Sequence, residues 1–459
     1  MVQYYIIMKL NKLYLIGILA LTACSTQQSA NNPVLSIEGG QIQGVVSNDP
    51  AVLVYKGVPY AAAPVGDLRW KAPQAVTPWE GVKIADKWGA AAMQNSGKTT
   101  GDFYFKEFYA DGDPEFSEDC LYLNIWTPAD AVAQPDKKLP VAMWIHGGAY
   151  DHGYGYEITM DGDAWAKRGV ILITINYRVG IFGFMAHPDL IAEDAKNAPG
   201  NYGTLDQIAA LKWIKNNIAQ FGGDPTNITI LGQSAGAASI KNLVMSPLSK
   251  KLISHAIIQS GGGIDEQVLP EQSLAEFAVD CKAFMDENGL TDLEKMRAAS
   301  AEQLMEIFNN KPQQLRFRPH YDSVNIPYGF TAATFDGTIA NVPYMIGYCA
   351  NDNPTMGAGV QRFASERKKQ HTKPVYTYLF ARPLPGDNAG SFHSSELWFM
   401  FHTLDRAWRP FTEADYKLAD EMTDAWTNFA KTGNPNAPDS NDWKPYDPET
   451  DFTYVFDIE

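Results

Sequence analysis

The sequence predicts an α/β fold, a mostly parallel central sheet with helices on both faces. Three observations predict it. The runs at 140–145 (Pro-Val-Ala-Met-Trp-Ile) and 170–175 (Val-Ile-Leu-Ile-Thr-Ile) are apolar almost throughout, as expected of strands buried on both faces. The stretch 205–221 instead carries Ile208, Leu211, Ile214 and Ile218 at helical spacing. Such strands and helices then alternate along the chain, and parallel neighbours need long crossovers of this kind.

In chain order, short strands with glycine turns come first, at 41–44 and 52–55. The strands at 140–145 and 170–175 follow, then the helix at 205–221, which Gly222-Gly223-Asp224-Pro225 terminates. Further strands are expected at 227–231, 255–258, 342–346 and 375–380, and a final amphipathic helix at 413–431. Residues 265–325 read as mostly helical, with Leu274, Phe277, Cys281 and Phe284 on one face. They interrupt the alternation, and a helical cap over the sheet edge is the expectation. No repeat or linker marks a second domain, so 34–459 is taken as one domain.

The chain has 459 residues, 45% hydrophobic and 12% aromatic, enough for a large core. Its net charge of -16 disfavours nucleic acid and anionic membrane surfaces as partners, although solubility alone accounts for it. Residues 1–24 have the order of an export signal: Lys9 and Lys12, an apolar stretch at 13–21, then Leu21-Thr22-Ala23-Cys24. The apolar stretch is too short to span a bilayer. The pattern resembles a bacterial lipoprotein signal, which implies lipidation at Cys24 and an envelope-anchored protein, at the outer membrane or the periplasmic face. An ordinary cleaved signal is the alternative. Met8 is a more usual opening than Met1, and 25–33 reads as a flexible tether. The remaining Cys120, Cys281 and Cys349 form no disulfide framework, and no Cys/His spacing suggests a metal.

Gly232-Gln233-Ser234-Ala235-Gly236 carries the chemistry. It follows the apolar run at 228–231 and precedes small residues, which reads as strand, sharp turn, helix. A serine on such a turn stands out above the sheet as a candidate nucleophile, and the Ala235 N–H faces the same space. His146-Gly147-Gly148-Ala149 also follows a strand, so Gly147, Gly148 and Ala235 are candidate oxyanion donors.

The serine needs a base and an orienting acid, in the order Ser, acid, His for this turn. That order removes His146, His152 and His187. His255 comes too early, His320 precedes the acid, His371 lies in a charge run, and His402 sits among aromatic residues. His393, in a glycine-rich loop beyond the strand at 375–380, is the choice; a solvent-facing turn histidine is the plain alternative. Asp352 follows the strand at 342–346. Asp336 lies at that strand's wrong end, and Asp322 is further from any strand end.

Over about 35–456 the sequence resembles the type-B carboxylesterase/lipase family of α/β-hydrolases. The resemblance rests on Tyr55-Lys-Gly-Val-Pro-Tyr-Ala61, Glu118-Asp-Cys-Leu-Tyr-Leu-Asn124, His146-Gly-Gly148, Asn176-Tyr-Arg178, Asp206-Gln207, Phe221-Gly-Gly-Asp-Pro225 and the serine motif. It continues through Phe392-His393-Ser-Ser-Glu396-Leu397 and Phe429-Ala-Lys-Thr-Gly-Asn-Pro-Asn436. It implies an α/β-hydrolase fold and ester cleavage through an acyl-enzyme, without cofactor or metal, on a small-molecule ester. Ser234 would be nucleophile, His393 base, Asp352 acid, and Gly147, Gly148 and Ala235 the oxyanion hole. Amides, thioesters or carbamates would suit the same machinery, and a non-catalytic binding protein on this fold is the alternative of another class.

Four departures carry expectations. Asp352 stands where the family usually has the longer Glu, which puts its reach to His393 in question. Gln233 replaces a frequent Glu. Cys120 lacks its usual disulfide partner, with Ala92-Met93 there instead, and is expected as a free buried thiol. Only 41 residues separate acid from base, which implies a reduced cap and an opened pocket wall. Trp398, Phe399 and Phe401 are candidates for pocket wall or core. Ser260 is either a partner of the acid loop or a buried turn serine.

Overall fold

The computed structural model describes residues 32–194, 199–264 and 273–458. The proposed signal, Cys24 and nearly all of the tether lie outside them. Asn32 is already part of the body, donating to the Gly44 carbonyl at 3.0 Å and accepting from Gln43.

Ten strands form the central sheet: β1 (Val45–Val46), β2 (Val52–Pro59), β3 (Tyr122–Pro128), β4 (Leu139–Ile145), β5 (Ile171–Ile175), β6 (Gly223–Gln233), β7 (His255–Gln259), β8 (Tyr344–Cys349), β9 (Val375–Phe380) and β10 (Tyr454–Phe456). Their spatial order is β10-β9-β8-β7-β6-β4-β5-β3-β2-β1. From β10 through to β5 every neighbouring pair is parallel; β5–β3, β3–β2 and β2–β1 are antiparallel. The strand expected at 41–44 belongs to a separate small sheet with Val34–Ile37 and Val82–Ile84.

The parallel strands are apolar because both faces are covered. All five residues of β5, and Val141 to Ile145 of β4, are buried. Of helices α1 (Asp102–Phe108), α2 (Tyr202–Asn217), α3 (Ala235–Met245), α4 (Leu274–Glu287), α5 (Leu293–Ala298), α6 (Ala301–Asn309), α7 (Met356–Lys369) and α8 (Glu413–Thr432), α2, α3, α7 and α8 pack directly on the sheet. The helix expected to run to 221 is α-helical only to Asn217 and tightens into a 3₁₀ turn at Ile218–Phe221. Gly222 then reverses the chain in the left-handed conformation, with φ 83°.

Among its described residues, the stretch expected to be helical over 265–325 is so only at α4, α5 and α6. Beyond Asn310 the chain is irregular to about 329. Pro312 and Pro319 oppose continuation of a helix there. Leu274, Phe277, Cys281 and Phe284 are buried, as their spacing required. Cys120, Cys281 and Cys349 are all free and buried.

Candidate active site

Ser234 stands between β6 and α3 with φ 56° and ψ -121°, a conformation that costs a non-glycine residue energy and persists only where the surroundings enforce it. They do so by close packing. A Cβ on Gly236 would lie 2.1 Å from the Ile145 carbonyl oxygen, and one on Gly232 would lie 2.6 Å from the Gly236 carbonyl carbon. The turn is therefore wedged between the ends of β4 and β6, and the Ser234 N–H is held by the Gln259 carbonyl of β7 at 2.9 Å.

The loop after β4 is equally tight. Gly148 has φ 97°, and a Cβ there would meet the His152 carbonyl oxygen at 2.1 Å. His146 is buried, stacks on Tyr177 with ring centres 4.3 Å apart, and lies 2.8 Å from the Gly147 carbonyl through Nδ1. Burial outweighs that bond and pushes its pKa down to about 3; burial takes His152 down to about 4. Both rings are neutral supports of the loop. A Cβ on Gly147 would be 3.2 Å from the Ser234 Cβ, so this loop lies directly against the serine.

The loops that carry Asp352 and His393 are clipped together. Asn351 donates its N–H to the Ser391 carbonyl at 3.1 Å, and its Oδ1 accepts the Ser391 N–H at 2.8 Å. This brings Asp352 to His393, with Oδ1 2.5 Å from Nδ1. The shorter side chain thus reaches the imidazole. Its other oxygen, Oδ2, accepts the Cys349 N–H at 2.8 Å. A carboxylate only accepts, so Nδ1 carries the proton and Nε2 presents a lone pair. Burial works against a charged imidazole here, but the hydrogen bond and charge of Asp352, with Glu396 behind it, prevail and raise the His393 pKa.

At Nε2 the partner is Gln233, whose amide nitrogen lies 3.2 Å away. Ser234 and His393 line one pocket, but the Ser234 hydroxyl makes no hydrogen bond among the described residues. A side-chain rotation would be needed to join them, and catalytic hydrogen bonds are often unformed before substrate binds. Behind the pair lies a buried cluster. The Cys349 thiol donates to Glu396 Oε2 at 2.8 Å, and the Ser260 hydroxyl to Oε1 at 3.4 Å. Burial, then the neighbouring Asp352, raises the Glu396 pKa. Ser260 is thus tied to the acid loop through Glu396. In the sequence Glu396 is only part of the motif at 392–397, and no local pattern there marks it as buried near Asp352.

Two cavities meet at Ser234. The smaller, about 290 Å³, is lined by Tyr104, Phe108, Tyr109, Gly147, His393 and Leu397 among others. The larger, about 840 Å³, includes Ala235, Ser260, Gly261 and Arg318. Trp398, Phe399 and Phe401 are core residues, at most 1% exposed. The aromatic wall comes instead from α1 and the residue after it, far upstream in sequence. The other weighed histidines lie elsewhere: His255 pairs with Thr229, His320 stacks on Phe277, and His402 pairs with Asp420.

A serine on a strained strand-to-helix turn, glycine loops beside it and a carboxylate–imidazole pair from later loops define an α/β-hydrolase. Comparison with known proteins narrows this. The carboxylesterase family model matches residues 31–358 and 353–459, and the chain belongs to that family. It is 32% identical to the para-nitrobenzyl esterase of Bacillus subtilis (strain 168) over 93% of this chain and 95% of that one. It is 29% identical to the fumonisin B1 esterase of Sphingopyxis macrogoltabida, over 93% and 87% of the two chains. A solved para-nitrobenzyl esterase structure superposes with a TM-score of 0.79 at 30% identity, covering 93% of this chain and 96% of the other. The protein is a carboxylic-ester hydrolase.

Proposed function

We propose that ester cleavage here proceeds through an acyl-enzyme on Ser234. His393 Nε2 takes the serine proton as Oγ attacks the ester carbonyl. Asp352 holds the Nδ1–H tautomer and stabilises the imidazolium that forms. The N–H groups of Gly147, Gly148 and Ala235 bind the developing oxyanion, where one such donor is typically worth about 10²–10³ in kcat. His393 then protonates the leaving alcohol, and water repeats the cycle to release the acid. The observation that carries this reading is the 2.5 Å Asp352–His393 contact in the pocket that Ser234 also lines. Replacing Ser234 with Ala should abolish turnover of a neutral p-nitrophenyl ester and labelling by a fluorophosphonate. Substantial residual turnover places the nucleophile elsewhere.

The lipoprotein-type order around Cys24 supports a chain exported and anchored by lipid, with the catalytic body held a short tether away. A Cys24→Ser chain found in the soluble fraction agrees with this; one that stays with the membrane does not.

A further inference from the structure

The larger cavity carries a charge pattern that the reaction does not explain. Lys311, Arg316 and Arg318 line it together with Ser234. None of the three has an ion-pair partner among the described residues. The Arg318 Nε is buried without a hydrogen bond, and burial, then the positive charge of Arg316, presses on the Arg318 guanidinium. Among the described residues Asp151 is the single acid on this wall; burial raises its pKa against the pull of all three cations. In a chain of net charge -16, a concave wall whose described residues carry two cations in excess, and which Ser234 also lines, is a built electrostatic feature. A half-buried arginine with an orphaned N–H gains most from an anion able to accept from it.

The two cavities also differ in which half of an ester each can hold. The leaving oxygen must lie beside His393, which hands it a proton. His393 lines only the smaller, aromatic pocket. The alcohol half therefore occupies that pocket, and the acyl half extends past Ser234 into the cationic cavity.

We infer that the preferred substrates are esters whose acyl half carries a free carboxylate, half-esters of dicarboxylic acids, with Arg316 and Arg318 as specificity-determining residues and Lys311 adding charge. This inference rests on the proposed roles of Ser234 and His393.

The test uses the whole chain and compares mono-p-nitrophenyl adipate with its neutral methyl ester. A second pair places the carboxylate on the alcohol instead: hexanoates of 4-hydroxybenzoate and of its methyl ester. On the acyl side kcat/KM should favour the anion by roughly 10- to 100-fold, the worth of a charged hydrogen bond, and the advantage should shrink as salt is added. Arg316→Gln and Arg318→Gln should each reduce that ratio through KM, and Arg318→Glu should invert it. Because Arg316 is exposed, its variant keeps the test open should Arg318 variants fold poorly. An acyl-side ratio near one, a ratio that survives all three variants, or a stronger preference for the alcohol-side anion would overturn the inference. Failure of the reading beneath it looks different: Ser234→Ala would then still turn over the neutral esters, and the inference would fall with that reading.

Discussion

Asp352→Asn tests how the base is held. The substitution keeps shape and volume, so its effect depends on which way the new amide faces. The structure decides this. One carboxylate oxygen accepts the Cys349 N–H at 2.8 Å, and the other meets His393 Nδ1 at 2.5 Å. An amide oxygen must stay on the Cys349 donor, because turning NH₂ toward it would oppose two N–H groups. The NH₂ then faces Nδ1, which becomes an acceptor, and the ring proton moves to Nε2. That nitrogen can no longer take the Ser234 proton. A wrong tautomer of this kind costs about 10⁴ in kcat, or about 5.5 kcal/mol in the barrier. The variant should fold as the parent does, since both hydrogen bonds survive, the one to Cys349 unchanged and the one to His393 with donor and acceptor exchanged. The assay is kcat for a neutral p-nitrophenyl ester together with the rate of fluorophosphonate labelling, with Tm measured alongside. An unchanged Tm with kcat within about tenfold of the parent would refute the tautomer reasoning.

Two further outcomes follow from the same geometry. Because Asp352 raises the His393 pKa against burial, and the neutral ring is the active form, kcat/KM should rise with pH through a midpoint above the ordinary 6.5; a midpoint at or below that value tells against His393 as the base. A Cβ at Gly236 would lie 2.1 Å from the Ile145 carbonyl oxygen and 2.8 Å from that of His146, so Gly236→Ala must push back the strand that carries the 146–149 loop. It should lower stability by about 1–3 kcal/mol and kcat by about 10², read by denaturant unfolding and kinetics; parent-like values would show that the turn is not wedged as described.

The continuous apolar runs at β4 and β5 were legible as buried strands because covering both faces removes the alternation that marks a half-exposed strand. Gly232 and Gly236 were legible for a related reason, since only the absence of Cβ lets backbone approach so closely. The segment after Asn310 was not. Its apolar residues pack against α4 and α6 without regular backbone, as Phe317 does against Phe277, Phe284 and Phe308, and composition alone does not distinguish this from a helix.

By itself the sequence determined the chemistry available: a serine on a glycine-bounded turn, a glycine loop after a strand, and an aspartate and a histidine in later loops. These depend on local backbone and residue type. Only tertiary structure decided that Asp352 reaches His393, because the Asn351–Ser391 clip that joins their loops spans 40 residues. It also placed α1 as the aromatic wall, and Arg316 and Arg318 on the cavity that Ser234 lines. Such contacts bring together distant stretches of chain, and no local pattern encodes the distance between them.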